Sequence, residues 1–169
     1  NTWTAGGEKT LSVLESAGYK VKVLTLETKN YHMLVPNENA IGTVIVNLTD
    51  DIGFMIGVGS GVISDITKLV SYKTGRKSIV VGTAPSMDGY ASDTSSMERD
   101  GLKTSIPSKC ADAIFGDTDI LCNAPDRMLK AGLGDVIAKY TSLAEWKISN
   151  IINDEYYCET IASIIRGCL

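Results

Sequence analysis

The chain has 169 residues, 44% of them hydrophobic, with 20 acidic against 16 basic residues and a net charge of -4. That length suits one domain with a substantial core, and no apolar run approaches the roughly 20 residues that span a bilayer. Mild acidity without a lysine or arginine stripe argues against a nucleic-acid partner.

With no charged-then-apolar leader, a soluble, cytoplasmic protein is expected. Cys110, Cys122, Cys158 and Cys168 lack C-x-x-C spacing and are expected to be reduced. The chain opens on Asn1-Thr2-Trp3 and closes just after the apolar helical positions Ile161, Ile164 and Ile165. Both ends read as cuts through structure, so a fragment of a longer protein is expected.

In chain order, Glu8 to Ala17 has helical spacing and stops at Gly18, and Val21, Val23, Leu24 and Leu26 suggest a strand. This is an α-then-β unit without a first strand. His32 falls between that segment and Pro36 and reads as a loop histidine. Asn37 to Leu48 carries Ile41, Val44, Ile45 and Leu48 at i, i+3, i+4 and i+7, the pattern of a second helix.

Phe54-Met55-Ile56 and Val58 then form the short apolar run of a central parallel strand, and Gly57, Gly59 and Gly61 strip the following turn of side chains. A helix capped by Ser60 or Gly61 follows and ends at Gly75. Bare backbone N–H groups at the positive end of a helix dipole suit a phosphate. G-V-G-S-G is, however, not the full G-x-G-x-x-G fingerprint. A tight turn without a ligand has the same pattern.

Ser78 to Gly82 is another β-branched strand, and the alternation with helices predicts a parallel sheet with right-handed crossovers. Ligands of such sheets sit at the carboxyl ends of the strands, where the small and polar segment Thr83 to Asp93 departs. Asp100-Gly101 predicts a β-hairpin with Lys103 to Pro107 as its return arm, and Ala113 to Phe115 offers one more strand. From Asn123, a candidate cap, the pattern is helical for about seven turns. Leu129, Leu133, Val136, Ile137, Tyr140, Leu143 and Ala144 form its expected core stripe. Met128, Ala131, Gly132, Asp135, Lys139 and Ser142 share another face, on which Gly132 and Gly134 suggest a close approach. The fold class is thus α/β, a Rossmann-like parallel sheet flanked by helices over 1–122, followed by the start of an all-helical domain over 123–169.

Three segments in this order, G-V-G-S-G-V-I-S-D, T-A-P-S-M-D-G-Y-A-S and A-P-D-R-M-L-K-A-G-L-G-D-V-I-A-K-Y-T-S-L-A-E-W-K, resemble the sn-glycerol-1-phosphate dehydrogenases. That family lies within the superfamily of iron-type alcohol dehydrogenases, glycerol dehydrogenase and dehydroquinate synthase. The resemblance implies reversible reduction of dihydroxyacetone phosphate to sn-glycerol 1-phosphate with NADH or NADPH, a step of glycerophospholipid biosynthesis, in a homo-oligomer. It assigns Gly61, Val62, Ile63, Ser64 and Asp65 to the turn that holds the cofactor's diphosphate, with Gly59 and Ser60 also cofactor-binding. Thr83, Ala84, Pro85 and Ser86 would lie along the cofactor, with Ser92 as a further contact. Asp88 would touch the substrate. Asp135 would be both a substrate contact and the first ligand of a zinc or nickel ion, the catalytic metal that polarises the ketone.

The family's two histidine ligands have no counterpart in this chain, and one aspartate does not make a metal site, so the chain alone is expected to be inactive. The alternatives are a nucleotide-binding module without catalysis, or a glycerol dehydrogenase or dehydroquinate-synthase-like enzyme on the same scaffold. Ser86-Met87-Asp88-Gly89 speaks against the last.

Overall fold

The computed structural model describes residues 2–27 and 33–169, so His32 lies outside the described residues. Three strands, β1 (Phe54–Gly59), β2 (Lys77–Gly82) and β5 (Ala113–Phe115), form a parallel sheet in the order β1-β2-β5. The predicted parallel sheet is therefore present. β1 and β2 run in register from Phe54↔Lys77 to Gly59↔Gly82, which brings both carboxyl ends to one level.

Helix α3 (Gly61–Thr74) crosses between β1 and β2 and is buried on nearly every side. It lies between the sheet and an antiparallel hairpin, β3 (Thr94–Arg99) and β4 (Leu102–Pro107). Asp100 (φ 51°) and Gly101 (φ 77°) both adopt the left-handed region, as a two-residue turn matched to strand twist requires. Helix α1 (Glu8–Ser16) follows a π turn at Trp3–Gly7, and α2 (Glu38–Asn47) is capped by the Asn37 side chain, which accepts from Ala40 N–H. Ile66, Leu69 and Val70 of α3 join Ala40 and Met97 in the core, with Leu26, Ile41, Val44 and Ile106 packed around them.

Several expectations are corrected. Residues 21–27 form no strand: Leu26 reaches the core, but β1 pairs only with β2 among the described residues and no ladder holds the segment. Asn123 does not cap the helix after it, since its amide donates to Asp119 O at the end of a short helix, α4 (Thr118–Leu121), whose cap is Asp117. The predicted seven-turn helix is broken at Ala138 into α5 (Asp126–Ile137) and α6 (Lys139–Asn153), and α7 (Glu159–Gly167) follows. Leu133, Val136, Ile137 and Tyr140 of the expected core stripe are exposed, because the face of α5 that meets the rest of the chain is the glycine face.

Gly75 ends α3 at φ 67°, and the N–H that follows the helix reaches back to Ser71 O and Tyr72 O. An added Cβ there would meet nothing within 4 Å, so replacement isolates the backbone term. Gly75→Ala is expected to cost about 1 kcal/mol, the penalty for a left-handed non-glycine residue. An unchanged thermal midpoint would show that this cap contributes nothing.

Candidate functional site

The site is built where β1 and β2 end. β1 delivers Gly59 and Ser60 directly into α3, whose first intrahelical bond runs from Ser64 N–H to Ser60 O at 3.0 Å. The amides of Gly61, Val62 and Ile63 precede that bond and belong to the open end of the helix. Glycine at 59 is a packing requirement: a Cβ there would stand 2.5 Å from Ile63 Cγ1 and 2.6 Å from Ile63 Cβ. Gly61 is covered by Met87, whose Cγ and Cε would lie 3.2 Å from an added Cβ. Neither glycine has a positive φ, so close approach rather than a glycine-only backbone explains both. Ser64 Oγ, fully buried in the first turn, has no hydrogen-bond partner among the described residues.

The segment after β2 is held onto this turn. Thr83 N–H donates to Gly59 O at 3.0 Å, and Thr83 and Ala84 are buried. Tyr90 Oη donates to Ala84 O at 2.7 Å, and burial pushes the phenol's pKa up to about 12. Between this segment and β5 lies an apolar slot of about 170 Å³, walled by Pro85, Met87, Tyr90, Phe115 and Leu121. A larger hollow of about 480 Å³ is lined only by residues of α7 and is open to solvent.

Lys68 fastens the far end of the segment. Its side chain is fully buried, and Nζ donates to Thr94 O (2.8 Å), Gly89 O (2.9 Å) and Ser92 Oγ (2.9 Å), with Asp65 Oδ1 at 3.2 Å. The hydroxyl of Ser92 is thus engaged with Lys68 and with the neighbouring carbonyls of Gly89 and Thr94. Burial raises the Asp65 carboxyl above its usual range, against the opposing pull of Lys68.

Helix α5 completes the site. A Cβ on Gly132 would fall 1.8 Å from Pro85 O and 2.9 Å from its carbonyl carbon, so the helix backbone rests directly on the post-β2 segment. One turn along, Asp135 Oδ2 accepts the Asp88 N–H at 2.9 Å. The sequence suggests Lys139 as the partner of the Asp135 carboxylate, but its ammonium instead lies 2.6 Å from Asp88 Oδ2 and 3.3 Å from the carbonyl oxygen of Asp135. Burial alone would raise the Asp88 carboxyl, yet the hydrogen bond it accepts from Lys139 and its contact with the Asp135 side chain hold it below its ordinary value. The same contact, above all the hydrogen bond to Asp88, raises the Lys139 ammonium. Gly134, the other glycine that suggested a close approach, faces open space.

The structure therefore brings Gly59 to Asp65, Thr83 to Ser86, Asp88, Ser92 and Asp135 to one end of the sheet. Sequence reading missed Lys68, Tyr90 and the Phe115 wall. The only sequence signal for Lys68 was its i, i+3 spacing from Asp65 on a helix whose buried face carries Ser64, Thr67 and Ser71. Among the described residues no three His, Cys, Asp or Glu side chains converge as a metal-binding group. Asp135 supplies one carboxylate, and these residues alone do not fit a resident zinc or nickel ion.

Residues 1–125 match the family described as iron-containing alcohol dehydrogenase. The chain belongs to this family. As an iron-containing alcohol dehydrogenase family member it is 32% identical over its whole length to glycerol-1-phosphate dehydrogenase (NAD(P)+) of Halalkalibacterium halodurans and spans 42% of that relative. It is 36% identical over 95% of its length to the protein of that name from Geobacillus thermodenitrificans, covering 40% of it. With glycerol-1-phosphate dehydrogenase of Pyrococcus horikoshii the identity is also 36%, over 88% of this chain and 44% of the relative. Glycerol dehydrogenase from Schizosaccharomyces pombe superposes with a TM-score of 0.76 at 25% identity, over 89% of this chain and 37% of that one. An iron-containing alcohol dehydrogenase from Thermotoga maritima, 13% identical, shares the fold with a TM-score of 0.69 over 85% of this chain and 45% of that one. No described helix is long and apolar enough to cross a membrane.

Proposed function

We propose that the protein containing this chain is an NAD(P)-dependent oxidoreductase that interconverts dihydroxyacetone phosphate and sn-glycerol 1-phosphate. The observation that carries the reading is the seating of α5 on the post-β2 segment, Gly132 against Pro85 and Asp135 on the Asp88 amide, beside the glycine turn. In that reading the glycine turn and the two carboxylates serve one site at the carboxyl end of the sheet.

In this reading Gly59 to Asp65 cradle the cofactor's diphosphate, with the open amides of Gly61, Val62 and Ile63 as donors. Thr83 to Ser86 lie along the cofactor, Ser92 supports that segment, and the slot beside Tyr90 and Phe115 accepts a flat base. Asp88 orients the substrate's hydroxyl groups, and Asp135 contributes one carboxylate to a divalent-metal site. The chain divides at 122/123 into a nucleotide-binding part and a helical part. Reduction consumes NAD(P)H, the substrate ketone and one proton, and releases NAD(P)+ and the secondary alcohol. The 169 residues by themselves constitute a nucleotide-binding unit.

Two experiments test this. The full protein supplied with zinc or nickel should oxidise NADH when dihydroxyacetone phosphate is added; no turnover with either metal would end the enzymatic reading. Gly59→Val should abolish NADH binding measured by fluorescence titration, because the branched side chain collides with Ile63 and displaces the turn, while Cys110→Ser leaves it intact. Unchanged affinity in Gly59→Val would place the diphosphate elsewhere.

A further inference from the structure

Lys139 is the first residue of α6, and its ammonium turns back to the place where Asp135 receives the Asp88 amide. The other cations of the central helices are committed elsewhere. Lys68 is buried and saturated by the post-β2 segment, Lys130 pairs with Asp126, and Lys73 and Lys147 lie over tyrosine rings. Arg127 reaches toward Met33 Sδ.

The Lys139–Asp88 pair is open to solvent, with side chains 29% and 47% exposed, so as an ion pair it contributes little to stability. It is, however, easily exchanged. A phosphate dianion offers this ammonium more charge and more acceptor oxygens than one carboxylate, and lysine binds phosphate as a point charge without a fixed fork geometry.

Resting on the functional reading above, we infer that Lys139 reads the phosphoryl group of the substrate and that Asp88 holds its place. In the free protein Asp88 neutralises the ammonium. When a phosphorylated triose enters, the phosphoryl oxygens take Lys139, and the released Asp88 carboxylate is free to accept from a substrate hydroxyl. The spacing suits this exchange. Lys139 Nζ lies 3.3 Å from the Asp135 carbonyl oxygen and 2.6 Å from Asp88 Oδ2, and three bonds separate the keto carbon of dihydroxyacetone phosphate from its phosphorus. A triose without the phosphoryl group leaves the Lys139–Asp88 pair intact and meets no free cation there, so the pair discriminates between the two substrates.

The test compares wild type, Lys139→Met and Lys139→Arg in the full protein. The readouts are NADH affinity, KM for dihydroxyacetone phosphate and for dihydroxyacetone, and competitive inhibition by inorganic phosphate. Lys139→Met should raise KM for the phosphorylated substrate and weaken inhibition by inorganic phosphate about 10–100-fold, the loss of one hydrogen-bonded charge. NADH affinity should hold, KM for dihydroxyacetone should change far less, and Lys139→Arg should restore most of the difference. Equal losses for both trioses, or unchanged phosphate inhibition, would overturn the assignment. Wild-type protein that neither binds nor reduces dihydroxyacetone phosphate would overturn the functional reading as well, whereas good binding by wild type and Lys139→Met alike removes Lys139 alone.

Discussion

Replacing Lys68 by methionine is expected to destabilise the fold by about 3–5 kcal/mol, the range for breaking a buried charge pair by removing one partner. The methionine would fill much of the space. It would not replace the donors to Gly89 O, Ser92 Oγ and Thr94 O, and Asp65 would lose the opposite charge beside it. Each unpaired acceptor in the interior carries its own desolvation cost. Ser92→Ala removes one of these contacts and should cost only about 1 kcal/mol. Urea unfolding of the two variants separates the possibilities: a Lys68→Met midpoint close to wild type would mean that water replaces the ammonium and that the post-β2 segment needs no such anchor.

Alanine at Gly132 should destabilise by about 3 kcal/mol, at the upper end of the range for overpacking. The methyl carbon would stand 1.8 Å from Pro85 O, and the obstacle is backbone on both sides, so no rotamer change relieves it. Gly134→Ala, two residues on in the same helix, meets nothing within 4 Å and should be neutral or stabilise by up to about 1 kcal/mol through helix propensity. The Asp88 amide is the local reporter, since its N–H is held by Asp135 Oδ2. Hydrogen exchange at Asp88 should accelerate in Gly132→Ala and stay slow in Gly134→Ala. Equal exchange in both variants would mean that α5 does not rest on the post-β2 segment.

Elements whose signals are local are legible in the residue pattern. The apolar run of β1, the glycine turn, α3 and its Gly75 stop, the Ser78 strand and the Asp100-Gly101 hairpin follow from spacing and from residues suited to particular backbone angles. The packing reason for Gly132 was legible in outline, because a glycine inside a helix already implies a neighbour. The remaining features depend on groups distant in the chain. The break at Ala138 has no glycine or proline to announce it, and residues 21–27 stay outside the sheet because a strand requires a partner that no local pattern reports. The pattern of α5 pointed to the apolar stripe through Leu133, Val136 and Ile137 as the core face, but those residues are exposed and the turned-in face is the glycine face, since only a surface without side chains lets the helix backbone meet Pro85. Lys68 became an interior anchor because the hairpin and the post-β2 segment close over α3 and bring carbonyls to it. Lys139 passed over the carboxylate of Asp135 for that of Asp88, because the fold presents the second carboxylate to the ammonium while the first is taken by an amide.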